Sequence, residues 1–221
     1  MIDELLRKFS LISDQVSTGE IRVILSEFAK VLHANVAGDI VEFGCYKGTT
    51  SLFLARMLEN FAKNSSENNE NISRKKLWLY DSFAGLPEKS REDLSRAGDE
   101  FRAGELAATK KELIQTFAKN HLLNKNFGPI IIKNWFSEIR ENQLPAQICF
   151  AFFDGDFYES IRDSFAKCDK LFANHATIII DDFANEKLPG AARAVDEWRA
   201  KNAAKIASFR EEKSLGIIHL K

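Results

Sequence analysis

The chain holds 221 residues, 45% of them hydrophobic and 29% charged, a globular composition that excludes wholesale disorder. Lys and Arg number 31 and Asp and Glu 32, a formal charge of −1, so no global positive field exists to hold nucleic acid. No apolar run approaches the roughly 20 residues of a membrane-crossing helix, and Met1 to Lys8 carries no signal-peptide core, so a cytoplasmic location is expected.

Residues 2–18 place Ile2, Leu5, Leu6, Phe9, Ile12 and Val16 at steps of three and four, which predicts one helical face interrupted at Gly19. A second helix follows with Ile21, Ile24, Leu25, Phe28, Val31 and Leu32. Residues 1–37 are therefore expected to form a helical extension, and 38–221 the main domain. Ile40 to Phe43 reads as a strand ending at Gly44, and a helix begins around Thr49. The Asn-rich stretch 63–76 reads as a surface loop, with a linker between domains as the rival. Leu77 to Tyr80 is a second strand, and residues 84–104 form a long connection or lid-like insertion before a helix over roughly 105–123. Further strands are expected at Pro129 to Lys133, Ile148 to Phe153, Ala176 to Ile180, Lys205 to Arg210 and Gly216 to Leu220, with helices near 157–172 and 190–203. The unalternated runs ICFAFF and TIII are those of strands buried on both faces, as in a parallel sheet. The prediction is an α/β, doubly wound and mostly parallel sheet of seven strands with a C-terminal antiparallel hairpin and N-terminal helices. Cys45, Cys149 and Cys168 are odd in number and widely spaced, which predicts buried free thiols. The four histidines lack ligand spacing and read as surface or structural residues.

Ligands of open α/β sheets sit beyond the carboxyl ends of the strands. After the first strand come Gly44 and Gly48, which allow a sharp turn and close approach to a ligand. The spacing lacks the middle glycine of the dinucleotide fingerprint, so the tip alone fits a nucleoside site or a plain strand–turn–helix corner. Asp81 ends the second strand and could accept both hydroxyls of a ribose, or cap a turn. Asp154, Asp181 and Asp182 follow the fourth and fifth strands. Three carboxylates with open positions suit Mg²⁺, and Asp156 could stay off the metal as a base. The rival role for these acids is helix capping or pairing with Arg162 and Arg193.

These stretches, VEFGCYKGTTSLFLA, LWLYDSFAGLPE, FRAGELA, AFFDGDFYES and IIIDDF followed by GAARAVDEW, resemble the macrocin O-methyltransferase family from about residue 41 to 198. That family consists of metal-dependent S-adenosylmethionine (SAM) enzymes that methylate sugar hydroxyls. The tip is also similar to that of catechol O-methyltransferase, a more distant relative. The resemblance implies a Rossmann-like class I methyltransferase fold with SAM and Mg²⁺ as cofactors. It implies SAM contacts from Glu42, Gly44, Cys45, Tyr46, Gly48, Thr50, Asp81 and Ser82, metal ligation by Asp154, Asp181 and Asp182, and Asp156 as general base. Two positions depart from the pattern. Asn134 stands where the family commonly has Gly, and Phe157 where the catechol enzymes carry a lysine. The implied acceptor is a small molecule or glycan bearing hydroxyls, with no nucleic acid and no membrane span, and a homo-oligomeric contact through the first two helices stays open. The rivals are a catechol-type enzyme acting on a phenol and a metal-dependent nucleotide-sugar glycosyltransferase using Asp154-Gly155-Asp156. An aspartyl phosphatase and a non-catalytic SAM- or nucleotide-binding module complete the alternatives.

Overall fold

The computed structural model describes residues 1–64, 74–98, 101–123 and 128–221. Its helices are α1 (Ile2–Lys8), α2 (Thr18–His33), α3 (Thr49–Asn64), α4 (Lys110–Lys119), α5 (Tyr158–Cys168) and α6 (Pro189–Asn202). Its strands are β1 (Asp39–Phe43), β2 (Leu77–Asp81), β3 (Ile130–Lys133), β4 (Ile148–Phe153), β5 (Phe172–Ile180), β6 (Ile206–Glu212) and β7 (Leu215–Leu220). They form one seven-stranded sheet in the order β3-β2-β1-β4-β5-β7-β6. The β1–β2, β1–β4, β2–β3 and β4–β5 pairs are parallel. Strand β7 runs antiparallel to both neighbours and closes the hairpin with β6. This is the Rossmann-like class I methyltransferase fold.

Every residue of β4 is buried, as its unalternated apolar run requires. Helix α2 packs with α3 and against β5, while α5 packs with α6. Rings fill much of the core. Phe43 stacks on Tyr80 at 4.4 Å, and Phe165 bridges Phe153 at 5.1 Å and Trp198 at 4.5 Å. The three cysteines are free and buried. No helix among the described residues is long and apolar enough to cross a membrane.

The N-terminal region corrects one expectation. The helical face predicted over residues 2–18 ends at Lys8, where Phe9 turns extended at φ −124° and ψ 131°. The segment is held instead as an irregular strap, with the Ser13 N–H and hydroxyl both bonded to the Thr49 hydroxyl at 3.2 and 3.1 Å. Gly19 does not separate two helices; it lies inside the first turn of α2. The Ser17 side chain accepts from the Glu20 N–H and the Glu20 carboxylate accepts from the Ser17 N–H, and this capping box starts the helix upstream of the glycine. Helix α4 is shorter than the predicted 105–123, because Thr109 and Glu112 form another capping box. Strand β5 starts at Phe172 rather than Ala176, and α5 stops at Cys168 to admit it. Most of the stretch 63–76 lies outside the described residues, as do 99–100 within the predicted lid. The strands on either side of the former, β1 and β2, pair in one sheet.

Candidate active site

The carboxyl ends of β1, β2, β4 and β5 meet at one rim. The Asp154 N–H donates to the Phe43 carbonyl at 2.8 Å, and the Asp181 N–H donates to the Phe153 carbonyl at 2.9 Å. The strand ladder thus continues one residue into each acidic turn. A cavity of about 530 Å³ opens above them. Gly44 and Tyr46 from the first turn, Asp81 and Ser82 from the second, and Trp135 after β3 line it on one side. Asp154, Asp156, Asp181 and Asp182 line it on the other.

Gly44 adopts φ +87°, and a Cβ there would lie 1.7 Å from the Asp154 carbonyl oxygen. The turn therefore passes between the cavity and the β4 tip with no room for a side chain. Asp81 anchors this turn from the neighbouring strand. Its Oδ2 accepts the backbone N–H groups of Cys45 at 3.0 Å and Tyr46 at 2.9 Å, and its Oδ1 accepts that of Phe83 at 2.7 Å. Burial raises the Asp81 pKa, and these three N–H groups oppose the rise. Oδ2 is filled by its two N–H donors, while Oδ1, with one, keeps accepting capacity. Of the other residues implied for the cofactor, Glu42, Cys45, Gly48 and Thr50 do not line the cavity. Glu42 is 1% exposed beneath the turn, and Cys45 contributes its backbone N–H to Asp81.

The acidic rim is electrostatically strained. Burial, and then the charges of Asp181, Asp156 and Asp182, push Asp154 well above the ordinary carboxylate range. Burial, then Asp182, pushes Asp181 up to about 8. The two arginines named as rival partners are engaged elsewhere. Arg162 pairs with Asp163 at 2.9 Å and Glu159 at 3.5 Å, and Arg193 with Glu197 at 3.2 Å and Glu92 at 3.5 Å. Among the described residues, no group of three or more His, Cys, Asp or Glu side chains stands gathered for a metal ion. In chemical kind the set still fits a hard dication: all its donors are oxygen, and the anions repel one another.

Several lining residues fall outside the site residues expected from the sequence, although Phe101 and Leu106 lie in the FRAGELA stretch. Asp14 and Gln15 reach the cavity from the strap after α1, which Ser13 ties to the Thr49 hydroxyl at 3.1 Å. Phe101 and Leu106 face it from the insertion. Asn185 also lines it and donates to Asp182 Oδ1 at 3.0 Å. Tyr46, Phe101, Leu106, Asp156 and Asp182 all have positive φ, so backbone strain is concentrated around this space. Eight carboxylates line the cavity, and among its described lining residues none is Lys, Arg or His. His219 lies elsewhere, against Glu27 at 2.8 Å.

Glu42 yields a pH test. One of its carboxylate oxygens is buried without a hydrogen-bond partner. Burial, with the Asp81 charge adding, raises its pKa from 4.5 to about 8. A raised acid pKa means the folded state holds its proton longer than the unfolded chain does. Its contribution to stability is therefore full at low pH and is lost as pH climbs from 4.5 through about 8. Glu42→Gln should match the native protein in urea denaturation near about pH 5 and exceed it near about pH 9. An unchanged difference between the two proteins across that range would remove the raised pKa.

A family model described as Macrocin-O-methyltransferase (TylF) matches residues 17–209. Demethyldecarbamoylnovobiocin O-methyltransferase of Streptomyces niveus is 26% identical over 176 residues, 77% of this chain and 62% of that protein. The 8-demethyl-8-(2,3-dimethoxy-alpha-L-rhamnosyl)-tetracenomycin-C 4'-O-methyltransferase of Streptomyces olivaceus is 27% identical over 176 residues, 77% of this chain and 61% of that protein. The chain thus spans about three fifths of the length of these curated relatives. Among solved structures, the O-methyltransferase NovP shares the fold with a TM-score of 0.76 at 21% identity, covering 93% of this chain and 81% of that one.

Proposed function

The chain belongs to the macrocin O-methyltransferase family, and from that premise we propose that it moves the methyl group of SAM to a sugar hydroxyl with Mg²⁺ as second cofactor. The observation that carries this reading is the single cavity shared by the glycine turn with Asp81 and the four-aspartate rim. SAM supplies a methyl already activated on a sulfonium, and Mg²⁺ supplies acidification of a chelated hydroxyl. The protein's own part is placement and proton removal. Gly44 lets the turn press against the Asp154 backbone, and Asp81 holds the turn through Oδ2 while its Oδ1 can accept from a ribose hydroxyl. Asp154, Asp181 and Asp182 would hold the dication. Asp156 would accept the proton of the attacking hydroxyl, which requires an approach of about 3 Å. Phe101 and Leu106 wall off water.

The acceptor follows from charge. Even with Arg162 set against Glu159 and Asp163, Mg²⁺ against the aspartate rim and the sulfonium of SAM counted, the eight-carboxylate lining stays net negative, which favours an uncharged glycoside over a sugar carrying a diphosphate. The glycosyltransferase reading leaves Gly44 and Asp81 without a role. Phe157, fully buried, offers no lysine base of the catechol type.

Calorimetry with S-adenosylhomocysteine tests the cofactor site. Labelled SAM, offered with a methyl glycoside bearing vicinal hydroxyls or with the same sugar as a nucleoside diphosphate ester, tests the acceptor. We expect tight binding, transfer chiefly to the glycoside, loss of transfer with EDTA and its return with Mg²⁺. A rate indifferent to EDTA would sink the metal, and preference for the charged ester would sink the neutral acceptor.

A further inference from the structure

We propose that Asp93, on the insertion between β2 and α4, is a positioning residue that sets the turn Asp154–Asp156 and the turn Asp181–Asp182 at a fixed distance from each other. The inference rests on the function proposed above. The Asp93 carboxylate is 1% exposed. Its Oδ1 accepts the N–H of Tyr158, the first residue of α5, at 2.7 Å. Its Oδ2 accepts the N–H of Ser90 at 2.8 Å and the Ser90 hydroxyl at 2.6 Å. Helix α5 has no cap of its own, since Phe157 stands at its N-cap position. Asp93 supplies that cap from 65 residues away, where a buried anion meets the positive end of the helix.

The same carboxylate touches the start of the other helix. Gly190 lies in the first turn of α6, and a Cβ there would stand 1.8 Å from Asp93 Oδ1. Helix α6 also lacks a side-chain cap. One buried group therefore abuts the beginnings of both helices that follow the acidic turns. Neighbouring residues reinforce the clamp. Lys89 lies over the Phe157 ring at 5.4 Å, Ser95 donates to the Glu186 carbonyl at 2.6 Å, and Glu92 pairs with Arg193 at 3.5 Å. Asp156 sits two residues before Tyr158 with φ +57°, a strained conformation that persists only if the adjoining helix start is held. Residues 89–95 thus hold the start of α5, directly after the first acidic turn, against the segment 186–193 that follows the second.

Asp93→Asn tests this. A carboxamide offers one oxygen, so its NH₂ must face either the Tyr158 or the Ser90 N–H, and one bond is lost. Mn²⁺ binding in the presence of S-adenosylhomocysteine, followed by electron paramagnetic resonance, is the readout independent of turnover. We expect Mn²⁺ affinity to weaken by roughly 10- to 100-fold. Binding of S-adenosylhomocysteine should stay native, and kcat should fall with little change in acceptor KM. Ser90→Ala keeps the Tyr158 bond and should shift Mn²⁺ affinity less and in the same direction, and it decides the matter should Asp93→Asn not fold. A folded Asp93→Asn with native Mn²⁺ affinity and kcat, and only a lower melting temperature, would reduce Asp93 to a structural cap and overturn the proposal. If the native protein binds S-adenosylhomocysteine but no Mn²⁺, the metal reading of the site fails, and this inference with it.

Discussion

Asp156→Asn should bind S-adenosylhomocysteine as tightly as the native protein and lose turnover by about 10²- to 10⁴-fold, the range for removal of a general base. Asparagine is the informative replacement. Asp156 occupies φ +57°, where Asn is tolerated and β-branched or bulky residues are not, so the turn survives the exchange. The residue is 8% exposed and lines the cavity beside Asp154, Asp181 and Asp182. Removing its charge lowers the repulsion that raises Asp154, so any gain in stability should accompany the loss of rate. Steady-state kinetics with saturating SAM, alongside calorimetry, separates the two effects. Turnover within a few-fold of native would assign the base to another group.

Gly44→Ala should cripple the protein in a different way. The new methyl group would meet the Asp154 carbonyl oxygen at 1.7 Å, and the backbone would keep φ +87° against the preference of any L side chain. Overpacking and backbone strain together should cost roughly 3–5 kcal/mol. For a chain of this length that lowers the melting temperature by about 10 °C. Relaxation would push the turn away from β4, and the N–H groups of Cys45 and Tyr46 would drift from Asp81. We therefore expect binding of S-adenosylhomocysteine to weaken beyond detection even in the folded fraction. A variant that melts like the native protein and binds the product normally would show that the turn can move without consequence.

The site is legible in the sequence where strand ends carry it. Asp81, Asp154, Asp181 and Asp182 each end or follow a strand whose apolar run is plain, so their meeting at one rim follows from parallel order. The N-terminal strap was not legible. Phe9, Ile12 and Val16 keep helical spacing, yet Ser13 is tied to Thr49, 36 residues away, and Asp14 and Gln15 beside it reach the cavity. Asp93 was equally silent, because its partners, Ser90 apart, are a backbone N–H and a glycine far along the chain. Spacing reports periodic contacts; it does not report a cap delivered from another segment.

The strap over Thr49 has a consequence for chimeras. Because Asp14 and Gln15 form part of the cavity wall, a graft that joins the first helices of one relative to the sheet of another transplants a piece of that wall. Swapping at residue 38, the apparent border of the extension, would exchange part of the cavity lining together with architecture, so parts meant to be interchangeable must be cut before Ser13 or not at all.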